Sequence, residues 1–536
     1  MMHRPAIFIA LAMSLCAAVT AVGSNAAPTD VPTDIRVVFG KPLYRDATWG
    51  LRVQDGSRVL VDLNSNRQFL VGSVRKIFSV GANLNAVGAA HTYDTPVYRQ
   101  GRIDNNKVLH GNLVLVASGD LTMGGRANPD GTVAISNWDH NEADGLGNAI
   151  LTRPDPLAGY RRLARAVKAS GIDRVAGDVV IDDRLFTPFD FRGQFQVRPI
   201  FVNDDAVDIT IVPQKTPRSR GNVTWRPKSA ALGIDNRLVT GAARSENTLA
   251  IGPELPACIG SAGCTSTVKG SLPSDFVPPL TGKPEVVRTV RIVQPANYAR
   301  TVFVEALRAA GVAVDAPSVE PNPVHFLASE SSYSAPNLVA KLTGLPYGQD
   351  AKLVLKISYN IGADTSLVLF GLTRGVHSMP DALRAERENL ATAYGIPSAQ
   401  YHFIDGSGGG DTTATNVAVT RMLEQLAEAR QHQPFFDALP VLGVDGSLAF
   451  VKAYQKDRTL AGATGQVHAK TGTYVAGSEA GAVLKGQALG GYITTKSGKH
   501  LTFELVVNNV PIKGIPDVVK VFEDEGTVAA MLWRDY

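Results

Sequence analysis

A chain of 536 residues exceeds what one hydrophobic core serves, so about two to three domains are expected. Hydrophobic residues at 44% and charged residues at 19% are ordinary for a globular protein. The net charge of +4 is spread without any Lys/Arg cluster interleaved with aromatics, which argues against nucleic acid as a partner. Three cysteines and ten histidines without H-x-x-x-H or His/Cys ligand spacing argue against a metal site, and no cofactor is expected.

Met1-Met2-His3-Arg4 is a short positive start, Ala6 to Val22 is apolar and Ala-rich, and Ser24-Asn25-Ala26 offers small residues ahead of Ala27. This order predicts a cleaved secretory signal peptide over residues 1–26. Cys16 raises a lipoprotein alternative, but Leu15 before it is too large for the processing site. No later stretch approaches the length of a membrane span. Cleavage leaves Cys258 and Cys264 close together in an oxidising compartment, where a local disulfide is expected; the alternative is two unlinked small residues in a loop.

After a Pro/Asp linker at Ala27–Thr33, Leu51–Leu63 alternates apolar and polar around Asp55-Gly56, which predicts a hairpin. Gly72-Ser73-Val74-Arg75-Lys76-Ile77-Phe78-Ser79 opens a helix that ends near Gly88. Its apolar positions Val74, Ile77, Phe78, Leu84 and Val87 keep a helical period. Short β-like runs follow from Tyr93, among them Val108–Ala117. Thr122 to Arg153, rich in Gly, Asn and Asp, reads as an exposed insertion or long loop. An amphipathic helix at Leu157–Ser170 precedes the strand Gly177–Asp183, whose terminal Asp182 and Asp183 are expected to be solvated. β-Rich runs continue through Phe201–Pro213 to a helix at Ala296–Gly311. A Ser-rich connection at Phe326–Ser334 leads to helices predicted at Lys352–Arg374 and Met379–Tyr394. The tail reads as strands Gln466–Thr473, Glu479–Leu489, Gly490–Thr495 and Leu501–Asn508, closed by a helix from Pro516.

Three short motifs stand out in this order. Ser73 lies three residues before Lys76 at a helix start, so both share one face and the amine can reach the hydroxyl. A serine hydroxyl is a weak nucleophile until a base takes its proton. Free backbone N–H groups and the positive end of the dipole also favour an oxyanion there. Ser358-Tyr359-Asn360 follows the apolar run Leu353–Ile357, and Lys470-Thr471-Gly472-Thr473 lies on a predicted strand, where Gly472 is expected to let a substrate backbone approach. Each is cheap by itself: Ser266-Thr267-Val268-Lys269 and Ser245-Glu246-Asn247 repeat two of the patterns by chance. Together they form the S-x-x-K, S-x-N, K-T-G series of penicillin-binding proteins and class A β-lactamases. Burial and a second ammonium from Lys470 would lower the pKa of Lys76 enough for it to act as the base.

At these residues the chain resembles the D-alanyl-D-alanine carboxypeptidase/endopeptidase family, the class C low-molecular-mass penicillin-binding proteins. The interval from Ser73 to Ser358 is too long for a compact β-lactamase, and this family fills it with inserted domains. Gly119-Asp120-Leu121-Thr122, Gly177–Phe186, Asn203–Pro213 and Asp405-Gly406-Ser407-Gly408 are similar to further family motifs. The resemblance implies an α+β fold, a serine transpeptidase/β-lactamase-like domain (antiparallel sheet flanked by helices) split by β-rich inserted domains. Its catalytic body would comprise residues 27–93 and 328–536, the inserted domain 94–117 and 175–327, and a second nested insertion 118–174. It implies Ser73, Lys76, Ser358 and Asn360 as catalytic residues. Lys470, Thr471 and Gly472 would bind substrate, and the N–H groups of Ser73 and Thr473 would form the oxyanion hole. Peptidoglycan stem peptides in the periplasm are the implied substrate and β-lactams the implied covalent inhibitors. Gly409-Gly410-Asp411 stand where the family has Leu-Ser-Arg, which leaves preference for a diaminopimelate carboxylate open. The competing readings are a β-lactamase or esterase with the same nucleophile, and a non-catalytic cell-wall-binding scaffold.

Overall fold

A computed structural model describes residues 30–536, apart from Pro279, Glu479 and Ala480. The predicted leader over residues 1–26 lies outside the described residues. Among them, no helix is long and apolar enough to cross a membrane.

The predicted hairpin forms from Thr48–Asp55 and Arg58–Leu63, turning through Gly56 at φ 55°. Instead of standing alone it completes a sheet begun at the other end of the chain. The order is Arg58–Leu63, Thr48–Asp55, His500–Ile512, Gly481–Thr494, Val467–Ser478, antiparallel throughout. Both faces are covered. Leu501, Phe503, Leu505 and Val507 alternate toward the terminal helix Ile515–Asp535, while Val506 joins the helices of the opposite face. Two strands predicted on either side of Leu489-Gly490 are one strand, because Gly490 and Gly491 stay in register with Glu504 and Phe503 without a turn. The helix Lys76–Val87 packs in the opposite core through Ile77, Phe78 and Leu84, beside Leu353, Val354 and Val368.

A second body is built on a six-stranded sheet with the path Ala313–Val314, Arg174–Val175, Val108–Val116, Thr92–Ile103, Leu338–Pro346. Val179–Asp182 also pairs with Val108–Val116. Ala206–Val212 lies between Asn222–Arg226 and Val286–Arg291 in a separate antiparallel sheet. Packing overturns four expectations drawn from the sequence. Leu338–Pro346 pairs with Thr92–Ile103, so the chain is still in the inserted body beyond residue 328; Tyr347–Lys356 is the first helix back in the catalytic core. Residues 118–174 have no core of their own: Leu163 and Val167 share one with Val97, Leu113 and Val207, while Leu121 and Val133 belong to the catalytic core. Thr122–Arg153 is no exposed loop, since Arg126, Asp139 and His140 are buried. Asp182 and Asp183 are likewise buried rather than solvated, because Arg184 and Arg198 neutralise them at 2.6 and 2.7 Å. Cys258 and Cys264 are joined by a disulfide with sulfurs 2.06 Å apart.

Candidate active site

Gly72–Arg75 is a single turn of tight helix that feeds into Lys76–Val87. In such a turn residues i and i+3 eclipse, which sets the Lys76 side chain over Ser73. Lys76 Nζ lies 2.5 Å from Ser73 Oγ, 2.7 Å from Asn360 Oδ1 and 2.8 Å from the carbonyl oxygen of Ser407. The long helix predicted over Lys352–Arg374 is two helices, Tyr347–Lys356 and Asn360–Leu372. Between them Ser358 takes φ 62°, a left-handed conformation that costs a non-glycine residue about 1 kcal/mol or more. The break aims its hydroxyl at Lys470, whose Nζ donates to Ser358 Oγ at 3.0 Å and to the Thr471 carbonyl at 2.7 Å. Asn360 becomes the first residue of the next helix, facing Lys76.

Val467–Ser478 is the edge strand of the sheet, and its Lys470–Thr473 segment lies against the Gly72–Arg75 turn. The glycine there meets this chain's own backbone. A Cβ on Gly472 would fall 2.0 Å from the Val71 carbonyl oxygen, and one on Gly72 (φ 49°) 2.8 Å from Thr473 N. Gly472 thus admits the Ser73 turn, a different reason for glycine from the substrate approach expected of it. The two chance motifs lie elsewhere, Ser266–Lys269 in a strand and Ser245–Asn247 in an irregular segment of the inserted body.

Lys76 and Lys470 are fully buried, and burial disfavours an ammonium. Burial, then the Arg192 guanidinium, lowers the Lys76 pKa to about 7. Lys470 is pushed well below the usual lysine range by burial and then by Lys76. The chief cation acting on Lys76 is therefore Arg192, not the Lys470 ammonium expected from the motifs. Asp364 responds in the opposite sense: burial, then Asp405, raises it to about 7.

Several site residues carry no motif that points to this pocket. Arg192 comes from the hairpin Phe189–Phe191/Phe195–Val197 of the inserted body, and its Nη2 donates to Ser407 Oγ at 3.0 Å. Ser407 sits in a loop tied down by Gly406 N donating to Asp364 at 2.8 Å and Gly408 N donating to Asp405 at 2.7 Å. Only the Asp405–Gly408 string hinted at this loop. Asp411, in the place of an expected arginine, is exposed and does not line the cavity. Ser447 pairs with Thr471, hydroxyl to hydroxyl at 2.7 Å. Next to Ser73 in the chain, Arg75 makes a two-pronged pair with Glu386 at 2.8 and 2.5 Å, both side chains out of solvent.

The reputed loop supplies the facing wall. Asn137, Trp138 and Glu142 line the cavity with Ser73, and burial raises the pKa of Glu142. Asn137 Oδ1 accepts from Gly446 N at 2.9 Å, and Trp138 stacks on Phe450 with ring centres 5.4 Å apart. Behind this wall Asp139, His140 and Asp204 cluster in a way that could hold a cation. Arg126 already bridges Asp139 and Asp204, and His140 Nδ1 lies 2.5 Å from Asp208. Burial opposes a charge on His140, but Asp208 and Asp139 outweigh it and lift its pKa to about 9. Guanidinium and imidazolium thus supply the counter-charge that a metal would bring.

The family model described as the D-Ala-D-Ala carboxypeptidase 3 (S13) family matches residues 33–522. A D-alanyl-D-alanine carboxypeptidase of Actinomadura sp. (strain R39) is 27% identical over 511 residues, 90% of this chain and 82% of that protein. Penicillin binding protein 4 of Haemophilus influenzae has a similar structure, with a TM-score of 0.68 and 17% identity over 94% of this chain and 100% of its own. In a complex with a novel β-lactam, that protein gives a TM-score of 0.65 at 18% identity, again over 94% and 100% of the two chains. The structural likeness establishes the transpeptidase-like fold with its insertions, and the family match extends over most of the chain. This protein belongs to the D-Ala-D-Ala carboxypeptidase 3 (S13) family and is a serine-type DD-peptidase of the low-molecular-mass penicillin-binding class.

Proposed function

We propose that Ser73 attacks the terminal D-Ala-D-Ala amide of peptidoglycan stem peptides in the periplasm, releasing D-alanine and leaving an acyl-serine that water then hydrolyses. The observation that carries this reading is the set of partners around Lys76 Nζ. A neutral amine has two N–H bonds and one lone pair. Asn360 Oδ1 and the Ser407 carbonyl accept the two hydrogens, so the lone pair faces the Ser73 hydroxyl at 2.5 Å. A pKa of about 7 keeps a substantial share of Lys76 in that form at neutral pH.

Lys76 takes the proton as Ser73 Oγ bonds to the carbonyl carbon. The N–H groups of Ser73 and Thr473 donate to the resulting oxyanion. Ser358, bonded to Lys470 and lining the same cavity as Ser73, delivers a proton to the departing amine as the C–N bond breaks, and Lys76 replaces it. Lys470, Thr471 and Ser447 bind the free carboxylate of the leaving residue; that carboxylate supplies the anionic partner that favours an ammonium on Lys470, against the burial that lowers its pKa. Glu142 offers a carboxylate to a cationic group elsewhere on the stem peptide. The same nucleophile opens β-lactam rings, and peptide cross-links ending in a D-amino acid carboxylate present the same amide.

Incubation with purified muropeptides followed by mass spectrometry tests the reading. Loss of one D-alanine per pentapeptide, abolished in Ser73→Ala, is expected, together with a penicillin adduct on Ser73. An adduct that persists in Ser73→Ala, or rapid β-lactam turnover with untouched muropeptides, would overturn it.

A further inference from the structure

The cavity at Ser73 holds about 710 Å³ and has two unlike halves. Asn137, Glu142 and Arg192 make one side polar. The other is walled by the terminal helix and the far end of the edge strand, and its lining is apolar. Ile515, Val518, Val519 and Phe522 face into it from the helix, at spacings that place them on one face. The strand register slips between Tyr474 and Val475, a bulge of the kind that re-aims side chains beside active sites. Tyr474 and Val475, on either side of the slip, both line the cavity. Val475 is 42% exposed and Ile515 43%, although the helix buries Val521, Val528 and Leu532 in the core on its inner side. Phe450 closes the floor, edge-on to Phe522 at 5.3 Å.

Position along the strand says which part of a substrate meets this half. Lys470 and Thr471 are placed for the carboxylate of the leaving group, and Thr473 for the carbonyl oxygen. The next step in the same direction, Val475, lies on the acyl side of the scissile bond. We propose that the face formed by Val475, Ile515, Val518, Val519 and Phe522 is an acyl-side subsite for an uncharged aromatic or branched aliphatic group attached on the carbonyl side of the amide. The proposal rests on Ser73 being the nucleophile.

Two penicillins that differ only in an acetyl or a phenylacetyl group on the side-chain amide separate the two claims. Acylation rates measured by intact mass should favour the phenylacetyl compound about tenfold in the wild type, since a half-buried phenyl ring carries that much transfer free energy. In Ile515→Ser/Val519→Ser, and separately in Val475→Thr on the facing wall, the ratio of the two rates should fall to within about twofold of one. A change that merely loosens the fold lowers both rates together and keeps the ratio, and that result, or a wild type without preference, overturns the subsite. Absence of any Ser73 adduct in the wild type would instead remove the nucleophile on which the proposal rests.

Discussion

Replacing Gly472 by alanine tests how the third motif reaches the first. The new Cβ would stand 2.0 Å from the Val71 carbonyl oxygen, 3.0 Å from Val74 N and 3.1 Å from Ser73 N. These are backbone atoms, so no side-chain rotation relieves the contact. Cβ atoms keep at least about 3 Å from such neighbours, so the edge strand or the Ser73 turn must give by about 1 Å. A shift of that size between nucleophile and oxyanion donors costs about 100-fold in rate. Overpacking of this kind costs about 1–3 kcal/mol of stability, too little to unfold a chain with a core this large. The assay is the second-order rate of acylation by a fluorescent penicillin, read beside the Tm. Gly477→Ala on the same strand is the control, because nothing lies within 4 Å of its added carbon. Acylation of Gly472→Ala within threefold of the wild type would refute the close approach of strand and turn as the reason for glycine there.

Acylation should rise with pH through about 7, because the reactive form of Lys76 is the one without the proton. At pH 5 the rate should be about 100-fold below its plateau. Asp364 also titrates near 7, so the midpoint belongs to the pair; a rate flat from pH 5 to 8 would contradict a lysine base. Ser358→Ala removes the acceptor 3.0 Å from Lys470 Nζ and the proton route to the leaving amine, and should lower acylation about 100-fold or more with Tm little changed. Arg75→Met strands the buried Glu386 carboxylate and should cost about 3–5 kcal/mol by denaturant unfolding, whereas Arg75→Met/Glu386→Leu should recover much of it.

The elements most legible in the sequence were those whose information is local. The helices at Ala158–Ala169, Pro295–Ala309 and Met379–Ala393 follow their apolar periodicity and caps within a residue or two. The helix break at Ser358 was missed in the predicted span Lys352–Arg374 because apolar residues continue on both sides of it, and only packing can hold a serine at φ 62°. The Thr122–Arg153 stretch looked solvent-facing because Gly, Asn and Asp without a clear period read as a loop. Its buried Arg126, His140 and Asp139 neutralise one another with Asp204 and Asp208, partners remote in the chain.

Read by itself, the order of residues picked out Ser73 with Lys76, the Ser358–Asn360 pair and the Lys470-Thr471-Gly472 strand as the segments that meet, because each motif is a short-range pattern whose spacing matters on a known element. Tertiary structure alone decided that Arg192 is the cation beside Lys76, that the Ser407 carbonyl takes one of its hydrogens, and that Gly472 faces the chain's own backbone. Burial and charge at a point are sums over segments hundreds of residues apart, and a linear pattern does not contain that sum.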